Sequence, residues 1–290
     1  MKARALVEGL AFGEGLRWRE GRFWHSDFYK RHVRSVTPEG ETRVELEIDD
    51  QPSGLGWLPD GRLLVAAMKS RKILRREHDG RIAVHADLAA FTDSHINDML
   101  VDANGNAFVG CFGFDLFAFE QQHGQAALFG YPGPPKAPLF LVRPNGETSI
   151  ASRDHEFPNG MAMAGGALIL AECFMPGFTA FDLAPDGALT NRRRWAVFPK
   201  APPRLVPDGI CADSEGAIWF ANALGAEAVR VSEGGEILDR VETSQTAFAC
   251  ALGGPDGRDL LIATAPTSRP DAAAANPRGR LEIARVSVPA

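Results

Sequence analysis

Five residues scattered along the chain share one local setting. Glu14, Ser53, Asn97, Asn159 and Asp208 each stand at the head of a short apolar run, and Gly follows at once in Glu14-Gly15, Ser53-Gly54, Asn159-Gly160 and Asp208-Gly209. Four of the five, Glu14, Asn97, Asn159 and Asp208, carry a carboxylate or amide oxygen. Gathered in one place, two carboxylates and two amides form a hard oxygen set that suits Ca²⁺, Mg²⁺ or Mn²⁺ better than a thiolate-seeking metal, with Zn²⁺ or Fe²⁺ as alternatives. For any single copy, Asn-Gly or Asp-Gly is simply turn chemistry. That explains the series poorly, because a separate acidic-Gly or Asn-Gly turn already serves most of the runs that follow, as at Glu20-Gly21, Asp60-Gly61 and Asn104-Gly105.

The elements that position these residues are hairpins. The stretch Val206 to Asn222 shows the pattern: a polar residue and Gly, an apolar strand, an acidic-Gly turn at Glu215-Gly216, and a second apolar strand. Versions of it start at Gly13, Pro52, Ile96, Phe157 and Ala247, about 39 to 62 residues apart, the period of propeller blades with loops of varying length. In the sixth copy Phe248 or Ala249 takes the mouth position. The expected architecture is all-β, a single six-bladed β-propeller over residues 1–290, with a central metal-binding channel onto which the mouth residues converge. Ala3 to Phe12 alternates weakly and Arg280 to Val288 clearly, so the two termini are expected to pair within one blade and close the ring.

Composition agrees. The 290 residues, 45% apolar, include 30 Gly and 20 Pro, a chain suited to many short strands and turns around a substantial core. A formal net charge of -6 argues against a nucleic-acid partner, and the basic run Arg192-Arg193-Arg194 reads as a solvated turn and strand edge. No apolar run is long enough to span a bilayer, and the start of the chain lacks a signal-peptide core, so no membrane partner and a cytoplasmic location are expected. Cys111, Cys173, Cys211 and Cys250 contain no C-x-x-C pair and read as buried thiols in or beside strands.

Two stretches depart from the hairpin plan. Residues 112–138 form a long insert after an inner strand, rich in Phe, which reads as a lid or wall over the mouth or as a surface or dimer contact. Ala265 to Gly279 is rich in Ala and Pro without periodicity and reads as a surface loop. A serine-hydrolase elbow and a zinc-protease helix are both missing, since no G-x-S-x-G occurs and His155-Glu156 is followed by Phe157-Pro158-Asn159.

The ordered motifs Gly13-Glu14-Gly15, His95-Ile96-Asn97-Asp98, Phe112-Gly113-Phe114-Asp115, Phe157-Pro158-Asn159-Gly160, Pro207-Asp208-Gly209 and Phe248 to Gly254 resemble the regucalcin/gluconolactonase (senescence marker protein) family over nearly the whole chain. That resemblance implies one divalent metal ion, Ca²⁺ first, held by Glu14, Asn159 and Asp208, with Asn97 beside it on the substrate side. It also implies hydrolysis of a sugar-acid-type or related lactone by a metal-associated water. Asp208 is the candidate general base, and Asn97, His95, Ser53, Phe112 and Glu172 are candidate substrate contacts.

The chain departs from the family where His95 replaces a common Arg, where Leu16 replaces the Pro of Glu-Gly-Pro, and where Glu172 takes the place of a common Asp-Ser. With Phe112, Phe114, Phe174 and Phe248 close to the motifs, a less hydroxylated or larger lactone is expected. The partner is thus a small-molecule lactone, for a monomer or small homo-oligomer. Two other readings remain: a metal-dependent hydrolase of another activated ester or phosphotriester, and a non-catalytic calcium-binding propeller.

Overall fold

In the computed structural model, residues 1–201 and 204–290 are described. Their strands form six four-stranded antiparallel sheets; the innermost strand is the first in sequence in five of them, and in the sixth it is the strand farthest from Arg4–Leu10. These inner strands are Gly13–Arg19, Pro52–Trp57, Ile96–Val101, Pro158–Ala164, Pro207–Ala212 and Thr246–Gly253. Each packs against the inner strand of the next blade, and the sixth packs against the first, so the ring is closed.

Closure uses both ends of the chain. The strand Arg4–Leu10 pairs antiparallel with Gly279–Arg285 and forms the outer edge of the sixth blade, as the alternation at the termini predicts. A parallel bridge from Lys2 to Glu242 ties the N-terminus to the fifth blade as well. No blade is left with an unmatched partner strand at the ring seam.

The hairpin turns follow their residues. Glu20 and Gly21 both adopt positive φ between the paired Arg19 and Arg22, the geometry of a type I′ turn whose twist matches the strands it joins. The apolar side chains form six buried clusters, one between each pair of neighbouring blades; Met99, Val109 and Phe140, for example, pack across onto Leu64 and Ile73. Burial of this kind is the main force holding blade to blade. Two further clusters, built largely of Phe, lie apart from these six and include residues at the channel mouth.

Neither irregular stretch is structureless. The insert carries helix α1, Leu116–His123, whose N-terminus is capped by Asp115 Oδ1 accepting from Ala118 N at 3.0 Å. Leu128 and Phe129 at its far end are buried against Phe157 and Phe174, which makes the insert a wall of the mouth. Ala265 to Gly279 is corrected in the same way: it holds helix α2, Pro270–Ala275, and the Ser268 carbonyl before it accepts from Tyr29 Oη at 2.7 Å. Among the described residues no helix is long and apolar enough to cross a membrane.

Candidate active site

The second residue of each of the first five inner strands is the polar residue singled out above: Glu14, Ser53, Asn97, Asn159 and Asp208. In all six blades the register between inner and second strand breaks at or just past this point, for example between Glu14 and Arg17 and between Pro207 and Ile210. An irregularity of this kind bends a strand end and re-aims its side chain. The Gly after the mouth residue has a packing role: a Cβ on Gly160 would meet Ile210 N at 2.6 Å, and one on Gly209 would meet Ala249 Cα at 2.7 Å. Only Gly lets adjacent inner strands approach so closely at the mouth.

A cavity of about 670 Å³ opens here, lined by Glu14, Asn97, Asn159 and Asp208 at its polar end, with His95 and Phe112 also in its wall. Glu14 and Asp208 are buried, and burial raises both carboxyl pKa values well above the ordinary range; the Asp208 and Asp98 charges push Glu14 further, and Asp98 pushes Asp208. Asp98 itself has a cation, Arg17 Nη2, at 2.9 Å. Glu14 and Asp208 have no Lys or Arg within salt-bridge reach among the described residues, and Asp208 Oδ1 is buried without a hydrogen-bond partner. Glu14 accepts from Gly15 N at 3.2 Å and feels the Arg17 charge, but two carboxylates buried so close together, one with an orphaned oxygen, are costly unless a cation joins them.

The two Asn side chains are oriented oppositely by their partners. Asn97 Oδ1 accepts from Ser53 Oγ at 3.2 Å, which leaves Nδ2 as the free end of its amide. Asn159 Nδ2 donates to Cys173 Sγ at 3.5 Å, which leaves Oδ1 free. Cys173 Sγ in turn donates to the Pro207 carbonyl at 3.1 Å, joining the fourth and fifth blades beside Asp208. Burial and then the Asp208 charge hold this thiol far above its usual pKa, so it remains a neutral donor.

The residues therefore fit a hard divalent cation. Glu14, Asp208 and Asn159 Oδ1 would supply the oxygens, and Asn97 an N–H beside them. Among the described residues no three His, Cys, Asp or Glu side chains cluster as a ready-made metal site. The candidate set depends instead on the amide oxygen of Asn159.

Two predicted contacts lie elsewhere. Ser53 does not line the cavity; it is buried behind Asn97 and fixes that amide. Glu172 is corrected more fully. It pairs with Pro158 at the end of the second strand of its blade, accepts from Glu156 N at 2.8 Å and Thr179 Oγ1 at 2.5 Å, and lies 3.4 Å from His155 Nδ1. Asp27 and Asn222 occupy the matching strand ends in the first and fifth blades and accept from the backbone N–H of Phe12 and Val206. Glu172 is thus the fourth blade's clasp on the loop entering its inner strand.

His95 stands exposed at the rim with its ring 6.0 Å from Phe112. Partial burial and then Lys69 hold its pKa below the ordinary value, so it is neutral at pH 7. Asp98 and Cys173 were missed as site residues. Asp98 follows Asn97 directly, yet its Arg17 partner is 81 positions away; Cys173 looked like any strand thiol.

Residues 12–266 match the family profile described as the SMP-30/Gluconolactonase/LRE-like region. The chain is 26% identical over 273 residues to the pentonolactonase XacC of Haloferax volcanii, covering 90% of this chain and 84% of that protein. Its fold is similar to that of a regucalcin from Agrobacterium tumefaciens, described as a calcium-binding protein, at 20% identity with a TM-score of 0.78, covering 99% and 94% of the two chains. A gluconolactonase from Xanthomonas campestris superposes with a TM-score of 0.72 at 23% identity, covering 99% and 89%.

Proposed function

The chain belongs to the SMP-30/gluconolactonase/LRE-like family, and on that premise we propose that it is a divalent-cation-dependent lactonase, with Glu14, Asn159 and Asp208 holding the cation. The observation that carries the reading is the pair of buried carboxylates, Glu14 and Asp208, lining the cavity without a salt-bridge partner among the described residues, with Asp208 Oδ1 unpartnered. Relatives named as lactonases support the ester class.

When bound, the cation supplies Lewis-acid polarisation of the ester carbonyl. The chain's own residues do the rest. Asp208 accepts a proton from the attacking water as the water oxygen bonds to the carbonyl carbon. Asn97 Nδ2 donates to the carbonyl oxygen as negative charge grows there, and Ser53 keeps that amide turned the right way. Collapse breaks the bond from the acyl carbon to the ring oxygen, and the proton on Asp208 passes to that oxygen. Water and lactone leave as one hydroxy acid, with Asp208 restored.

The test is hydrolysis of a lactone panel by the purified protein, by the protein after chelation and metal-by-metal restoration, and by Asp208→Asn. Loss on chelation, recovery with one or more divalent cations and a loss of about 10²-fold or more in the folded variant are expected. Full activity in thoroughly chelated protein overturns the reading.

A further inference from the structure

We propose, resting on the lactonase reading, that the substrate is a lactone whose ring carries an aryl or alkyl substituent, and that the aromatic clusters at the mouth are its binding subsite. The oxygens that would handle the ester group are confined to the inner strand ends, and most of the remaining wall is hydrocarbon. Phe112 packs on Phe157 with ring centroids 4.5 Å apart, Phe157 on Phe174 at 5.0 Å, and Phe129 on Phe174 at 5.6 Å. Across the mouth, Phe12 packs on Phe248 at 4.7 Å and on Phe28 at 5.3 Å. Phe112 and Ala223 border both clusters, so the two form one continuous apolar surface around the polar end.

Backbone strain supports a purpose for this wall. Phe157 has φ of +62°, a conformation that is an outlier for a bulky aromatic residue, and it directly precedes Pro158-Asn159. The strained residue sets its ring among Phe112, Phe114 and Phe174 immediately beside the candidate cation ligand.

The cavity's polar groups are poorly placed for a polyol. Gln51, Asp93, Ser94 and His95 come from the loops entering the second and third blades, and Lys69 from a turn within the second. Ser94 Oγ is already used, accepting from Gly113 N at 2.9 Å and meeting Thr92 Oγ1 at 3.0 Å. On the insert side, Asp115 caps α1, Glu120 pairs with Arg269, and Tyr29 Oη donates to the Ser268 carbonyl. Sugar hydroxyls turned toward the Phe rings would be buried without hydrogen bonds, which is unfavourable, whereas a phenyl or alkyl group there sheds its hydration favourably. A volume of about 670 Å³ suits a ligand larger than a bare monocyclic lactone.

The experiment compares kcat/KM for 3,4-dihydrocoumarin and δ-decalactone with that for glucono-1,5-lactone and xylonolactone, using cation-loaded full chain. In parallel, calorimetry measures binding of two unreactive lactams, 3,4-dihydroquinolin-2-one and gluconolactam. The apolar lactones are expected to exceed the sugar lactones by about tenfold or more, and the aryl lactam to bind tighter by a similar factor.

Phe114→Ser, on the half-buried insert, is expected to lower the apolar-to-sugar ratio about threefold or more, and Phe174→Leu serves if that variant misfolds. Equal or faster turnover of sugar lactones, or a ratio unmoved in both folded variants, overturns the inference while leaving the lactonase reading intact. If no lactone of either class is hydrolysed, the lactonase reading falls and lactam binding alone decides what the cavity prefers, with tighter gluconolactam overturning the inference.

Discussion

Asn97 and Asn159 occupy matching positions in neighbouring blades yet present opposite ends of the same amide to the cavity. Ser53 engages the oxygen of Asn97, and Cys173 engages the nitrogen of Asn159. One side chain is thereby a donor toward substrate and the other an oxygen toward a cation.

This division separates the effects of two isosteric changes. Asn159→Asp keeps the oxygen and adds charge, so divalent cation affinity measured by calorimetry is expected to hold or rise. Asn97→Asp replaces the free donor by an acceptor, so kcat is expected to fall about 10²-fold with cation affinity changed far less. Cys173→Ala releases the Asn159 amide and is expected to weaken the cation about tenfold or more, with Cys173→Ser milder. Equal losses of cation affinity in both Asp variants would dissolve the distinction.

Cation removal is expected to change how stability depends on pH. Burial raises the folded-state pKa of Glu14 and Asp208 above the unfolded values near 4. A carboxyl raised in this way contributes its full share below the unfolded pKa, and the contribution is lost as pH rises through the folded pKa, because the folded state then holds protons the unfolded state has released. Chelated protein should therefore lose thermal stability between pH 5 and pH 8. Saturating Ca²⁺ at about 100 times its Kd adds about 2.7 kcal/mol, so the loaded and chelated melting curves should separate by about 5 °C or more at pH 8 and converge toward pH 5. Parallel curves across that range would count against a cation bridging these two groups.

Glu172 gives a prediction of opposite sign. Burial raises its pKa, but His155, Thr179 and the Glu156 N–H outweigh burial and hold it down to about 2. Its contribution is present above the unfolded value near 4.3 and disappears as pH falls through about 2. Glu172→Gln is expected to cost about 3 kcal/mol at pH 7, since a buried carboxylate that accepts charge-strengthened hydrogen bonds is lost, and to flatten the acid limb of the stability curve. Because Glu172 itself does not line the cavity, kcat/KM of the folded variant should change less than about threefold. A large rise in KM without lost stability would return Glu172 to the substrate.

The contrast between Glu172 and Asp208 shows what could be read from the sequence. The blades were legible because each inner strand opens with the same polar-then-apolar step, and Glu14, Asn97, Asn159 and Asp208 converge because equivalent positions in a ring face one axis. Glu172 lies at the end of a second strand, one step removed from the axis, and only the register opposite Pro158 reveals it. Ser53 has the right position, but its hydroxyl is spent on Asn97. Arg17 and Asp98 meet from the first and third blades, a pairing that depends on side-chain reach across the channel rather than on any spacing in the chain. Ala265 to Gly279 lacked periodicity because α2 is short and mostly exposed, so no apolar stripe marks it.

The mouth itself carries a small latch. Arg269 Nη2 meets Glu120 of α1 at 3.0 Å, and its guanidinium lies 5.3 Å from the Phe117 ring, so the segment before α2 holds the insert from the opposite side of the cavity. α1 has no fully buried residue, and the aromatic wall it carries depends on a few contacts. An exposed ion pair contributes about 1 kcal/mol or less, so Arg269→Ala should leave the melting temperature within about 2 °C of the parent. Release of the insert would be a local opening rather than a global unfolding, and its share of the binding wall would be lost each time. Arg269→Ala is therefore expected to raise KM about threefold to tenfold with little change in kcat, to speed proteolytic cleavage within residues 112–138, and to make KM less sensitive to salt, since the screened pair is gone. If KM and cleavage are both unchanged, the contact between Arg269 and Glu120 does not hold the wall in place.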